Sequence, residues 1–550
     1  KQKIEEKELV EAIKKKEEKR ERKEKITKKG MKPIIALAFI AIFWTILFDD
    51  DESNAIPLPK RISISFPIAK PYEDKIKAKE YFLAGKKSYS EQSFLGKKLA
   101  ARNFHDSLSH SFNKNKALGW LILSYAEIYD NARSKSKAAI KIHKLLKIAN
   151  SKLLKDVNVA LGAAVFYSSY GKHKTAINVI ENFLRVGKAS LKILSVYLNV
   201  LIAEGELTKA RKVFDKLIKL PKKSITITIA LCNFLEQDER IDEADKLVKE
   251  IMQKHKTSIP LLLRSAKYKF EQGKYKRFAK HLKLIEELNS GGSPIYYAKY
   301  LELKGMLAAA NQKLGESAKY FNKALKINES DELRSKLATL SLGGTESVEA
   351  LILQSKVINK MKYAKLAVKE KSWEKAFKFS IDAADLLPSY IPAQLLLADI
   401  QTQRGYFESA IKTLTQLKQS NPVNPNVNFK LIMAYVSALK LEDASKLIQM
   451  ISQTKLRSTA GYASVLGRYY HKKNHDLLAV QWLKESIKRF PLNDEDYYLL
   501  SKVFLKNRKY DNAIQMLGEA ISLDPKMIKY KSTYAKILYE HSDVNSALGY

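Results

Sequence analysis

Residues 392–422 read PAQLLLADIQTQRGYFESAIKTLTQLKQSNP, and this stretch decides the architecture. Pro392 to Arg404 predicts a first helix, with Leu395, Leu396, Ala398 and Ile400 as core candidates. Gly405 ends it, because glycine accepts the left-handed conformation that closes a helix. A second helix follows, carrying Ala410, Leu414 and Leu417, and Asn421-Pro422 stops it. Ala410 falls where the two helices cross, since a larger side chain there forces them apart.

The unit recurs on both sides. Ala376, Ala410, Ala444, Ala479, Ala513 and Ala547 are separated by 34, 34, 35, 34 and 34 residues. Upstream, Ala176, Ala210 and Ala244 step by 34, and Phe278 falls another 34 on. Gly171, Gly205 and Gly273 keep the same period, with Glu239 in the missing slot. Pro388 and Pro422, and again Pro491 and Pro525, are 34 apart. A fixed period of this length means stacked supersecondary units, each packed on its neighbours.

These positions resemble the tetratricopeptide repeat, a helix–turn–helix unit of 34 residues. The matching residues are Leu161, Gly162, Tyr167, Gly171 and Ala176 in one unit, and Gly205, Leu207, Ala210 and Phe214 in the next. Trp373, Ala376 and Pro388 match later, as do Tyr510, Ala513, Leu517, Ala520 and Pro525. The resemblance covers about residues 75–550. It implies an all-α fold, a right-handed superhelical solenoid that holds other proteins. Its matching positions are packing positions, so they speak to fold and not to a particular partner.

Departures from the period suggest the domain plan. Residues 75–150 are helical in pattern but off register, which suits divergent units or an N-terminal cap. Array 1 is expected over 151–340 and array 2 over 371–550, with the last unit incomplete at Ala547-Leu548-Gly549-Tyr550. Between them, Ser341-Leu342-Gly343-Gly344-Thr345 and the helical stretch Val348–Val368 form a joint over 341–370. Ser290-Gly291-Gly292-Ser293-Pro294 accounts for a smaller excess between Phe278 and Ala318.

The front end is different. Residues 1–32 hold 14 Lys/Arg and 8 Glu, a solvated helical stem, and no methionine starts them, so a longer protein is expected. Ile34–Phe48 has Thr45 as its sole polar member. As a helix it is roughly 22 Å long against about 30 Å of hydrocarbon, short but sufficient for one transmembrane helix over 33–48 in a thinned bilayer. The alternatives are a buried core helix and a cleaved signal peptide. Polar flanks on both sides and the lack of a small-x-small site after Phe48 speak against them. Lys28, Lys29 and Lys32 precede the segment while Asp49, Asp50, Asp51 and Glu52 follow it. This asymmetry places the N-terminus in the cytoplasm and the repeats outside the inner membrane, in the periplasm of a Gram-negative cell. Residues 49–74, with Pro57, Pro59, Pro67 and Pro71, are an extended linker.

Net charge is +39, from 98 Lys/Arg and 59 Asp/Glu. Such a field attracts acidic proteins, anionic lipid or anionic glycan. The lysines are spread along the chain without an arginine–aromatic cluster, which speaks against nucleic acid. The single cysteine, Cys232, excludes an internal disulfide and lies in a first-helix pattern with Leu231, Phe234 and Leu235.

In the family resembled, unit positions 2, 5, 9, 12 and 13 face the inner groove. With the marker residue at position 20, Lys267, Lys365 and Lys502 fall at 9 and Lys369 and Lys506 at 13. These five are the candidate groove that accepts an acidic partner segment. The family's carboxylate clamp of lysines, asparagines and an arginine is not reproduced: Asn199 fits one slot, but Ser195, Ala230 and Pro260 stand in others. His471 and His475, four apart, are the best metal pair, with no third ligand evident. No HExxH, GxSxG, GxGxxG or phosphate-cradling loop occurs, so neither enzyme nor cofactor is expected. The layout implies a membrane-anchored scaffold of an envelope machine such as a flagellar motor, gliding apparatus, pilus or export system. The alternative is a binder or regulator of anionic envelope glycan.

Overall fold

The computed structural model describes residues 73–541, apart from 92–93, 112–115, 130–134, 150–154, 188, 289–292, 329 and 341–343. The expected stem, transmembrane helix and most of the linker, the Gly291-Gly292 spacer and the unfinished unit at Ala547 therefore lie outside the described residues. Among the described residues no helix is long and apolar enough to cross a membrane.

Among those residues the secondary structure is helical throughout, with 26 α-helices and a short 3-10 turn, Lys455–Ser458. They pair as hairpins: α1 Lys75–Ser90 with α2 Phe94–His110, α3 Ala117–Tyr129 with α4 Lys135–Ile148, and α5 Val157–Ser169 with α6 His173–Val186. Next come α7 Leu191–Glu204 with α8 Leu207–Ile218, α9 Ile225–Gln237 with α10 Ile241–Lys254, α11 Ile259–Glu271 with α12 Tyr275–Glu287, and α13 Pro294–Ala310 with α14 Leu314–Ile327. A short helix, α15 Asp331–Thr339, has no second helix of its own and packs on α14 and on two elements further on. The series resumes with α16 Gly344–Lys369 and α17 Trp373–Leu386, α18 Ile391–Gln403 and α19 Phe407–Ser420, and α20 Pro425–Ser437 and α21 Leu441–Ser452. It ends with α22 Ala460–Lys472 and α23 Asp476–Arg489, α24 Asp494–Lys506 and α25 Tyr510–Leu523, then α26 Ile528–His541.

The two helices of a hairpin differ in sequence because they differ in surroundings. First helix α9 buries Ile227, Thr228, Ala230, Leu231, Cys232, Phe234 and Leu235, almost all round, since it is flanked by its own second helix and by first helices on either side. Second helix α10 buries Ala244, Asp245, Leu247, Val248 and Ile251 on one face and leaves the other to water. The marker alanines 176, 210, 244, 376, 410, 444, 479 and 513 are all fully buried, as the crossing requires. Gly162 shows how close neighbouring units come: a Cβ there would sit 2.7 Å from Ile122 and 2.9 Å from the backbone nitrogen of Leu123.

The hairpin turn fixes the period more strictly than residue type does. Gly171, Gly205, Gly273 and Gly405 are left-handed, and so are Glu239, Gln312, Lys371, Leu439, Asn474 and Arg508 at the equivalent turns, with φ between 56° and 60°. Glu239 thus occupies the glycine slot in conformation as well as in sequence. For a residue with a Cβ this conformation costs about 1 kcal/mol, which hairpin packing offsets.

Two contacts join units far apart in the chain. The first is a seam between α4–α6 and α23–α26. Leu492, Tyr497, Ala520, Leu523 and Tyr530 share one apolar cluster with Ala163 and Phe166, and the Tyr170 and Phe490 rings lie 5.8 Å apart. Around that cluster, Lys147 pairs with Glu519 at 2.7 Å, Lys174 with Asp524 at 3.8 Å, and Lys526 with Glu181 at 3.7 Å. Lys172 pairs with Asp494, the Thr175 hydroxyl donates to the carbonyl of Leu523, and the Tyr530 hydroxyl donates to Asp494 at 2.8 Å. Asp494 stands in the first turn of α24, where a carboxylate complements the helix dipole, and Lys172 reaches it from across the seam. The second contact is made by α16, whose Asn359 meets the turn after α9 and whose last residue, Lys369, meets the turn after α7.

Candidate functional site: the inner face of the first helices

First helices α9, α11 and α13, together with α15 and α16, enclose a cavity of about 790 Å³. Its charged lining is balanced: Glu236, Glu239, Glu271, Glu302 and Glu332 against Arg264, Lys267, Lys299, Lys336 and Lys362. A polar ladder runs along it from unit to unit. The Asn233 amide donates to Asn199 at 2.8 Å, Arg264 donates to Asn233 at 2.5 Å and pairs with Glu236, and the Tyr268 hydroxyl donates to Glu236 at 2.5 Å. Lys336 donates to Glu302 at 2.7 Å.

Burial alone would raise the carboxyl of Glu302, but Lys336, Lys299 and Lys267 overcome it and hold the group at about 2. Glu236 is likewise held below its ordinary value against burial, by Lys267 and Arg264. Glu271 goes the other way: burial pushes it up, and Lys267 opposes this only in part. Burial lowers Lys362 on the facing helix. Gln354 of α16 also lines this cavity, 4% exposed, with its amide nitrogen unpartnered among the described residues.

Helix α16 crosses to the opposite wall. The Asn359 amide donates to Glu239 at 3.1 Å, and Lys369 donates to Glu206 at 2.7 Å and stands 3.6 Å from Glu204. These contacts span 120 to 165 residues of chain, so α16 packs against the turns at the ends of α7 and α9.

The five sequence-derived lysines fall in different places. Lys267 lines the cavity, 3.4 Å from Glu236 and 3.8 Å from Glu271. Lys365 lies close enough to His173 of α6 to help depress its imidazole, and Lys369 is taken up by Glu204 and Glu206. Lys502 and Lys506 stand one turn apart on α24. The first lies 6.0 Å from the Tyr498 ring, and the second pairs with Asp476 at 3.1 Å while remaining 47% exposed. What sequence reasoning missed is the acidic half of the inner face. The signal was present: Glu204, Glu236, Glu239 and Glu271 cluster at the ends of successive first helices, within two positions of the later lysine row.

His471 and His475 lie at the inter-helix turn of their unit: His471 is in the last turn of α22, His475 caps α23, and Asn474 between them turns left-handed. Among the described residues no group of three His, Cys, Asp or Glu is placed to hold a metal ion. Cys232 is fully buried, its sulfur 3.7 Å from the carbonyl of Ala244, and burial pushes the thiol up to about 11. That is the chemistry of a packed small side chain and not of a nucleophile.

The hairpins, the buried crossing alanines and the left-handed turns define a helical-repeat protein whose inner face is built for contact. Residues 298–331 and 497–527 match the family model described as tetratricopeptide repeat, and the chain carries these repeats. Among solved structures, it is similar to a tetratricopeptide repeat protein from Parabacteroides merdae at 18% identity, covering 49% of this chain and 100% of that one with a TM-score of 0.34. It is also similar to a thermophilic repeat protein of Thermus thermophilus at 19% identity, covering 33% and 98% with a TM-score of 0.31. Yeast Tom70 is similar at 15% identity, covering 85% and 97% with a TM-score of 0.28. No curated protein sequence matches the chain.

Proposed function

We propose that the protein is a membrane-tethered adaptor that grips partner proteins along the inner face of its second array and performs no catalysis of its own. The observation that carries this reading is the contrast in ion pairing. From α18 to α25 the ion pairs among the described residues of that stretch join residues at most about one repeat apart, and Lys502 and Lys506 stand exposed on adjacent turns. An acidic, extended or helical segment of a partner suits those cations. On this reading Lys267 of the first array and Lys365 and Lys369 of the joint helix α16 hold the scaffold's own shape, and the groove lysines of α24 meet the partner.

The finer placement rests on sequence. Ile34–Phe48 serves as a single transmembrane helix, the stem over 1–32 stays in the cytoplasm, and the linker over 49–74 lifts a right-handed superhelix into the periplasm. Residues 151–340 and 371–550 act as two arrays joined through 341–370, within an envelope machine of the motility, pilus or export kind. A second reading is favoured by the charge of +39: a binder of anionic envelope glycan.

Crosslinking in intact cells followed by mass spectrometry tests both. The adaptor reading expects crosslinks from the α24 lysines to a small set of envelope proteins, and at least a ten-fold loss of capture in Lys502→Glu/Lys506→Glu. Unchanged capture in that variant removes the groove. Salt-sensitive retention on lipopolysaccharide or peptidoglycan, with no protein crosslinks, selects the glycan reading.

A further inference from the structure

The seam that joins α4–α6 to α23–α26 encloses a second cavity, of about 880 Å³. It lies away from the inner face and exists only because distant units meet. Its volume falls in the range of ordinary ligand sites. Its chemistry is unlike that of the first cavity. The charges at its edge are spent on one another, Lys147 on Glu519 at 2.7 Å. Besides that pair its polar lining is uncharged and includes the amides of Asn178 and Asn182 on α6, that of Gln515 facing from α25, and the imidazole of His143.

His143 is 7% exposed and its Nδ1 has no hydrogen-bond partner. Burial, helped by Lys147, lowers it to about 4, so the ring is neutral at physiological pH and one nitrogen can accept while the other donates. The three amides have no hydrogen-bond partner among the described residues. Asn178 and Asn182 are half-buried and Gln515 is exposed, so these amides are open to a ligand, while the unpartnered Nδ1 of buried His143 is the costly group that a bound partner would satisfy.

Spacing selects the ligand class. Asn178 and Asn182 are four residues apart on one helix, so they are about 6 Å apart along the axis. An extended peptide repeats its outward N–H and C=O every two residues, about 6.6 Å. Each amide offers one donor edge and one acceptor edge, the complement of a peptide unit. Leu146, Ala163 and Val179 supply apolar wall for alternate side chains. A sugar would ask for an open aromatic face, and the one aromatic residue lining this cavity is Tyr167.

We infer that the seam cavity is a binding site for an extended, uncharged peptide segment, held through its main chain by Asn178, Asn182 and Gln515 with His143 at the floor. The site is separate from the α24 groove, so failure of the Lys502/Lys506 test leaves it standing.

The test is panning of a displayed library of uncharged heptapeptides against the immobilised full chain. The expected result is enrichment of peptides with micromolar affinity, weakened at least ten-fold by Asn178→Ala/Asn182→Ala. Hydrogen exchange at α25 checks that this variant keeps the seam closed. In histidine-labelled protein the ring signals of His143, assigned with His143→Gln, are expected to shift when an enriched peptide is added. Absence of enrichment, equal binding by the double variant, or unmoved His143 signals overturns the inference. Retention of maltohexaose in place of peptides overturns the peptide assignment.

Discussion

The stretch from α7 to α16 and the stretch from α18 to α25 are built from the same hairpin but use charge differently. In the first, pairs from α16 reach across the inner face, Lys369 to Glu204 and Glu206, and the neighbouring-unit pair of Lys336 with Glu302 is largely buried. In the second, they climb one rung at a time: Lys430 to Asp399, Lys440 to Glu408, Arg468 to Glu495 and Lys506 to Asp476. Cross-face pairs close a groove, while rung-to-rung pairs stiffen a wall and leave the groove open. One repeat thus yields a body that holds itself and a body available to hold something else, without any change of backbone.

The comparison breaks most visibly at Lys336. Its side chain is 14% exposed and Glu302 is 22% exposed, so Lys336→Ala strands a largely buried carboxylate. A loss on the order of 2–3 kcal/mol is expected in urea melts, with partial recovery on adding Glu302→Gln. Lys440→Ala in the second array, whose partner Glu408 is 74% exposed, is expected to leave the melt unchanged. Equal effects at the two positions would erase the distinction.

Acid sharpens it next, through the seam. His143 has a folded value of about 4 against an ordinary 6.5, so the opened form takes up a proton first and closure weakens as pH falls from 6.5 towards 4. Burial raises Asp494, but Lys172 and the Tyr530 hydroxyl more than offset it. Lys209, Tyr197 and Lys526 likewise hold Glu181 low against burial. These depressed carboxylates contribute above their unfolded values, near 4, and the contribution is lost as pH falls through the folded values. Hydrogen exchange across α5 and α25 is therefore expected to rise in two stages below pH 6.5, before α20 and α21 respond.

A smaller effect is expected at the crossing helix. Lys369→Glu sets three carboxylates together with Glu204 and Glu206, and should free the end of α7 to exchange while leaving α20 and α21 unaltered. Added salt should mute the change. The smallest is a gain. Leu439 is 67% exposed and left-handed at φ 59°, so Leu439→Gly is expected to raise stability by about 0.5–1 kcal/mol, read as a small upward shift of the melting temperature.

The hairpins were legible because their signals are local. Ala410 marks a crossing, Gly405 a turn and Pro422 a stop, all within one unit, and repetition multiplied a weak pattern into a firm one. The site was half legible. Lysines at fixed unit positions could be counted, but whether each meets solvent or a carboxylate depends on which other unit lies opposite. Lys369 and Glu204 are 165 residues apart, and no periodic rule pairs them. The seam was illegible for the same reason. Thr175 and Leu523 meet because curvature accumulated over many hairpins brings them together, and that sum is written in no single stretch.

Solenoids ordinarily change length by gaining or losing a unit, since each added hairpin finds the same neighbour it replaced. The clasp between Lys172 and Asp494 removes that freedom here. Deleting or duplicating any hairpin between them would carry the two residues past each other by a whole rung. The number of hairpins in this loop is therefore a fixed integer, like the links of a buckled strap, and pulling on it would first meet the resistance of the buckle and only later the give of a spring.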